Sequence, residues 1–282
     1  MKSETVVVMA YYKGQKYFKE QIDSIRAQTK VPDKLIIVND SPKDKKASKF
    51  LHSFNYGKLN VTIKDNKTNL GCTKTFYEGI KMAYKIDAKY IFISDQDDIW
   101  LPNKIQRQYD ALINGADICN HYSQKFIDNK PSSVLFANCA GHSLAFKASS
   151  FKKGISLLSN PYYNNGQLAT YDSILSFIPF IYDLKWTTIE EVLVYHRLYN
   201  KEHFTINSEM HRSIIQDLKN IHGGFLAYYN MRDFLDQNAD YPATPAELFK
   251  YYRLKVNKYN LCDNVTKIKN SIFTVLGRIK FY

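Results

Sequence analysis

The sequence predicts an α/β fold: a mostly parallel mixed sheet flanked by helices, with a helical extension at its C-terminal end. Three observations carry that prediction. Short continuous apolar runs, each too brief for a helix, alternate with stretches of helical period from Val6 to Ile113. Several of these runs end in polar or acidic residues, and ligands bind in open α/β sheets just outside the strands' carboxyl ends. From Ser208 onward the alternation stops and basic amphipathic patterns take over, which divides the chain into residues 1–205 and residues 206–282.

Taken in order, Val6 to Ala10 reads as a buried strand, Tyr11 to Gly14 as a turn, and the next stretch as a helix with Phe18, Ile22 and Ile25 on one face. Leu35 to Val38 is a second buried strand ending in Asn39-Asp40-Ser41-Pro42, and Lys43 to Leu51 a solvated helix. Asn60 to Lys64 alternates like a third strand. Asn69-Leu70-Gly71 is a turn, and Thr73 to Ala83 a helix leading to the strand that starts at Tyr90. After the acidic cluster Asp95 to Asp98 come a helix opened by Pro102 and running to Ile113, and a strand over Ala116 to Cys119. The pattern weakens from there to Pro131. Phe136 to Phe146 is strand-like but holds Gly141 and small residues, which predicts a bulge or a close approach of backbone to ligand. Ser159 to Thr170 is a loop suited either to a mobile lid or to plain surface, and Tyr171 to Leu175 opens an apolar helix. Thr188 to Val194 leads into Tyr195-His196-Arg197.

The C-terminal region carries apolar residues on one helical face at Leu248, Tyr252, Val256 and Tyr259, and on another at Val265, Ile268, Ile272, Leu276 and Ile279. Phe249 to Tyr282 holds eight Lys or Arg against one Asp, so these helices either lie on an anionic membrane surface or pack on the main domain. The whole chain is basic, +12, which favours anionic partners: nucleotide phosphates, anionic lipid or nucleic acid. No nucleic-acid module is recognisable, and that class is set aside. Cys72, Cys119, Cys139 and Cys262 are too scattered for a zinc site. Neither a secretory leader nor an apolar stretch long enough to span a bilayer is visible, so the expected place is the cytoplasm, on the inner face of the membrane.

The chemistry concentrates at Ser94-Asp95-Gln96-Asp97-Asp98. Three carboxylates within four positions repel one another unless a cation or cationic ligand sits among them. A hard divalent ion, Mn²⁺ or Mg²⁺, is the natural guest, with phosphates completing its shell. An acidic loop with no ligand is the bland alternative.

The stretch from Ser94 to Lys104, together with Tyr12 to Gly14, Glu20 to Ile25 with Gln28-Thr29, and Asn69-Leu70-Gly71, resembles the inverting family 2 glycosyltransferases of bacteria, rhamnosyltransferase-like members above all. The resemblance spans Val6 to Arg197. It implies the Rossmann-like glycosyltransferase A (GT-A) fold, a UDP- or dTDP-sugar donor, a glycan or lipid-linked acceptor and a divalent ion at the Asp-x-Asp. By that resemblance the donor meets Ala10, Tyr12, Asp40, Asn69, Lys74, Asp95 and Gln96, with Tyr12 flanking the base and Asp40 accepting from its ring nitrogen. The ion meets Asp95, Asp97 and His196. Asp172 stands where the family has its catalytic base, with Tyr171 in place of the usual His; capping a helix from Ser173 is its other reading. His196 could equally be a structural histidine, and Arg197 could reach a phosphate. Asn39, where the family commonly has Asp, and Tyr171 keep open a non-catalytic nucleotide-sugar or glycan-binding homologue.

Overall fold

The computed structural model describes residues 4–127, 130–136, 141–152, 154–159, 171–182 and 184–197. The expected lid, apart from Ser159, and the whole region 206–282 lie outside these residues. Strands β1 (Thr5–Tyr11), β2 (Lys34–Asn39), β3 (Val61–Asp65) and β4 (Tyr90–Ser94) are joined by helices α1 (Gln15–Arg26), α2 (Lys45–Ser53) and α3 (Cys72–Lys85). All their pairings are parallel, in the spatial order β3-β2-β1-β4. Val8 stands beside Ile36 on one side and Ile93 on the other, so three apolar runs meet in register.

Alternation along these strands makes two cores. Val6, Val8, Ile36, Val38, Ile91 and Ile93 face Phe76, Ile80 and Ala83 of α3. Val7, Met9, Leu35, Ile37 and Phe92 face Phe18, Ile22 and Ile25 of α1. Helix α3 lies so close to the sheet that a Cβ at Gly79 would come within 2.5 Å of Val8 Cγ1. Helix α2 starts two residues later than its pattern suggested because Asp44 caps it, accepting from the backbone N–H groups of Lys46 and Ala47 at 2.9 and 3.1 Å.

Beyond β4 the sheet becomes mixed. A two-residue strand β5 (Ile99–Trp100) follows the acidic cluster, then α4 (Lys104–Ile113), which begins after Pro102 instead of at it. The irregular stretch to Pro131 is a long hairpin, β6 (Ile118–Ile127) and β7 (Lys130–Phe136). A 3-10 turn over Gly141–Ser143 interrupts the strand-like run before β8 (Ala145–Lys147). A short helix α5 (Ala148–Phe151), a second 3-10 turn (Ile155–Ser159), helix α6 (Tyr171–Ile181) and strand β9 (Trp186–Arg197) complete the described chain. The sheet continues β4-β8-β6-β9-β5, with β8 antiparallel to both neighbours and β9 parallel to β6. The antiparallel β5–β9 pair sets Ile99 opposite Tyr195, which brings the acidic loop against His196 and Arg197. No helix among the described residues is long and apolar enough to cross a membrane.

Candidate active site

The loop between β4 and β5 is held from beneath by one face of α1. The Gln21 side-chain amide meets Ser94 Oγ at 3.0 Å, and Trp100 N–H donates to Ser24 Oγ at 3.1 Å. Gln28 donates to the Leu101 carbonyl and accepts from Ile105 N–H, while Thr29 N–H donates to the Pro102 carbonyl. The Glu20-to-Thr29 block of the sequence is therefore the scaffold for the acidic stretch from Ser94 to Lys104.

Above that scaffold four ligand-type side chains converge: Asp95, Asp98, His142 and His196 each offer an atom within 4.8 Å of the others. Asp98 is wholly buried. Its Oδ1 accepts from His196 Nδ1 at 2.9 Å and from Arg197 N–H at 3.1 Å, whereas its Oδ2 has no hydrogen-bond partner among the described residues. Asp95 Oδ1 accepts from the Tyr171 hydroxyl at 2.9 Å. His142 Nδ1 stands 3.9 Å from Asp95 Oδ2 and 4.0 Å from Asp98 Oδ2, too far to hydrogen bond and suited to atoms that surround a common ion. Its ring stacks on that of His196 with centroids 4.2 Å apart, and its Nε2 shares a 2.9 Å hydrogen bond with Ser123 Oγ.

The electrostatics follow from this packing. Burial alone would raise the Asp98 carboxyl, but the His196 charge and hydrogen bond hold it below its ordinary range. Burial, then Asp98 and Asp97, push Asp95 upward. Burial also opposes a charge on His196, yet Asp98, Asp95 and Asp97 together raise it to about 9. His142 is pushed down to about 3 by burial and by the His196 charge, so it is a neutral imidazole. The resting arrangement is a buried His196–Asp98 ion pair beside a second carboxylate that gives up its proton reluctantly.

Two α4 side chains one turn apart fix the turn that carries His142. Lys104 Nζ donates to the His142 carbonyl and Gln108 Nε2 to the Ser143 carbonyl, each at 2.8 Å. Lys104 is wholly buried, with its ammonium 3.4 Å from the Trp100 ring centre, and burial pushes it down to about 7 against the pull of Asp98 and Asp95.

The other residues singled out from the sequence fall on the same rim. The Gln96 amide clamps the backbone of Tyr12, accepting from its N–H at 2.8 Å and donating to its carbonyl at 3.0 Å. A Cβ at Gly14 would come within 2.2 Å of the Gln96 amide, so a side chain there would push that amide out of its place. Tyr12 itself is 49% exposed, as a residue offered to a flat ligand would be. The Asp40 carboxylate accepts from Asn66 Nδ2, Leu70 N–H and Gly71 N–H, three of the roughly four bonds a carboxylate can take, and so shapes the Asn69-Leu70-Gly71 turn. Asn69 completes that turn by donating to the Asp40 carbonyl at 3.0 Å. Ala10 and Lys74 are half-buried at the end of β1 and the start of α3. Asp97 is half-buried and stands outside the four-residue cluster. Asp172 lies inside the first turn of α6, which begins at Tyr171, and so does not cap a helix starting at Ser173.

Arg197 is held by groups of the protein. It donates through Nε to the Asp97 carbonyl at 3.0 Å and through Nη2 to Glu20 at 2.7 Å, over the Tyr17 ring at 3.9 Å. It staples the end of β9 to the acidic loop and to α1. His142, Lys104 and the Tyr171 hydroxyl were not singled out from the sequence. Gly141 was the one signal, and the close approach it permits is that of Tyr171, whose hydroxyl would lie 2.0 Å from a Cβ at Gly141.

The sequence pattern described as Glycosyl transferase family 2 matches residues 5–153, over half of the chain. The chain belongs to that family. As a family 2 glycosyltransferase it is 27% identical over 268 residues to an uncharacterized glycosyltransferase of Methanocaldococcus jannaschii, covering 93% of this chain and 82% of that one. It is 35% identical over 128 residues to a dTDP-rhamnosyl transferase of Shigella flexneri, over 44% of this chain and 43% of that one. The glycosyltransferase spans under half the length of most of its curated relatives. Its fold is also that of S. aureus TarS residues 1–349 crystallised with UDP, with a TM-score of 0.58 at 11% identity over 92% of this chain and 72% of that one. This transferase thus has the α/β architecture expected of it, although its parallel pairings are confined to β1 to β4 and to the β6–β9 pair.

Proposed function

We propose that the chain is a metal-dependent, inverting sugar transferase that takes a UDP- or dTDP-sugar as donor and a glycan or lipid-linked acceptor, in surface polysaccharide synthesis. The observation that carries this reading is the convergence of Asp95, Asp98, His142 and His196 at the carboxyl edge of β4, with Asp98 Oδ2 buried and unpartnered among the described residues. A buried carboxylate oxygen left without a donor is costly, and a cation answers it. Two carboxylates with two imidazoles suit a first-row ion such as Mn²⁺ better than Mg²⁺, which prefers oxygen ligands throughout. Asp95 and His196 belong to both the sequence expectation and this cluster. Asp97, whose charge acts on both of them, remains in the proposal as a carboxylate for ion or diphosphate. When bound, the ion would neutralise charge developing on the departing nucleoside diphosphate.

The protein's own groups do the rest. Tyr12, held by Gln96, offers its ring to the base. Asp40 keeps one lone-pair position for a base N–H while fixing the turn at Asn69 to Gly71. Ala10 and Lys74 line the same rim. Asp172 takes the acceptor hydroxyl's proton as its oxygen attacks the anomeric carbon opposite the leaving diphosphate, which gives inversion in one displacement. The dTDP-rhamnosyl transferase among the relatives and the UDP complex of the structural neighbour support the donor class. The basic region 206–282 is proposed to meet an anionic membrane surface, where a lipid-linked acceptor would lie.

The test follows release of nucleoside diphosphate from UDP- and dTDP-sugars by the full chain, with Mn²⁺ or with a chelator, and in Asp172→Asn. We expect the chelator to stop turnover and Asp172→Asn to lower it by about 10²- to 10⁴-fold with donor affinity kept. Turnover that survives the chelator removes the metal, and turnover that survives Asp172→Asn removes the base.

A further inference from the structure

We infer that Tyr171 is a positioning residue for the reaction: its hydroxyl fixes Asp95 and ties the helix carrying Asp172 to the loop that receives the donor. This rests on the site reading above, and three contacts on different elements carry it. The ring stacks on Phe76 of α3 with centroids 4.0 Å apart and planes 28° apart. Its edge fills the space left by the missing side chain at Gly141. Its hydroxyl donates to Asp95 Oδ1 at 2.9 Å. A side chain so confined at both ends has one orientation, so the hydrogen bond is aimed in advance.

That bond divides the two oxygens of Asp95. Oδ1 is taken by the phenol, and Oδ2 is the one that stands across from His142 Nδ1. A carboxylate that ligates an ion is commonly oriented by just such a second hydrogen bond, and loss of the partner typically weakens metal affinity or activity by about 10- to 100-fold. Tyr171 and Asp172 are consecutive in the first turn of α6. The residue that holds Asp95 is therefore separated from the proposed base by one peptide unit. With its ring held in place, the hydroxyl acts as a fixed donor to Asp95.

The experiment is Tyr171→Phe, which removes one oxygen and keeps the stack on Phe76, in the full chain. Mn²⁺ affinity is read by electron paramagnetic resonance without substrate, and kcat and donor KM by nucleoside diphosphate release. Expected are an unchanged melting temperature, Mn²⁺ affinity weaker by about 10- to 100-fold, and a fall in kcat that extra donor does not restore. Asp95→Ala, which removes the acceptor, should lose at least as much, and adding Tyr171→Phe to it should change kcat by less than about twofold, since the hydroxyl acts through that carboxylate. If the wild type binds Mn²⁺ and turns over while Tyr171→Phe matches it within about twofold in both measures, the inference is overturned and the site reading stands. A further loss from Tyr171→Phe in the Asp95→Ala background overturns it too, because the hydroxyl would then act elsewhere. A wild type that neither binds Mn²⁺ nor releases nucleotide sinks the site reading itself.

Discussion

The parallel half of the molecule, β1 to β4 with α1 to α3, and the mixed half, β6 to β9 with α4, α6 and the turn at Gly141–Ser143, bury different things. The first buries continuous apolar strands between two helix layers, and its buried polar residues, among them Gln21, Ser24, Asn39, Ser41, Asn66 and Thr75, are uncharged apart from Asp40. The second buries charge and imidazole in its interior: Lys104, Asn120, His121, His142 and Ser143, next to Asp98. The acidic loop sits at the seam. One half supplies the edge from which the acidic loop leaves and the other supplies the two imidazoles that meet it, so the same size of change should have different consequences on the two sides.

The largest effect should come from cutting the seam. Asp98→Ala removes the partner of a buried His196 charge and of the Arg197 N–H, and breaking such a pair typically costs about 3–5 kcal/mol. Urea unfolding in the presence of a chelator measures it. A loss below about 1 kcal/mol would mean that the mixed half does not depend on its internal charge, and the contrast would fail.

A smaller effect of opposite character belongs to the parallel half. Gly79→Ala places a methyl 2.5 Å from Val8 Cγ1 and 3.2 Å from Val38 Cγ2, overpacking that should cost about 1–3 kcal/mol. Gly79 lies in the middle of α3 and takes no part in the site, so Mn²⁺ affinity and donor KM should stay as they are. Unfolding and metal titration on the same sample separate the two halves: a stable Gly79→Ala protein with weakened Mn²⁺ binding would show that they are not independent.

This contrast also explains what could be read from the sequence. The elements from Val6 to Ile113 are legible because buried parallel strands and amphipathic helices write a local period, and their ends shift only by caps such as Asp44. The acidic loop is legible because three carboxylates together demand an explanation. What stays hidden depends on pairings between distant residues. Nothing near Gly141 indicates that Tyr171 will fill its space, and nothing near Lys104 indicates that its ammonium will hold the His142 carbonyl. The buried residues Lys104, Ile105, Gln108 and Leu112 do share a helical face, but polar members of such a face look solvated until their partners are known. The Asp-x-Asp spacing of Asp95 and Asp97 is visible in the chain, whereas the β5–β9 pairing that sets Asp98 against His196 is not.

A third effect is one of pH, and it belongs to the seam alone. Asp98 and its acidic neighbours raise His196 from 6.5 to about 9, outweighing the burial that would lower it. A base whose folded pKa is raised adds stability that is complete below its unfolded value and is lost as pH climbs through its folded value. The metal-free protein should therefore weaken between about pH 7 and about pH 9, and His196→Asn should flatten that decline. An ion that takes the imidazole must displace the same proton, so Mn²⁺ should bind more tightly as pH rises over that window, by up to about tenfold per unit, and level off above it. Asp95, also pushed upward, steepens the rise at the acid end. Stability and metal affinity should thus move in opposite directions with pH. Parallel changes, or none, would show that the His196–Asp98 pair and the ion do not share this imidazole, and Gly79→Ala should leave both slopes as they are in the wild type.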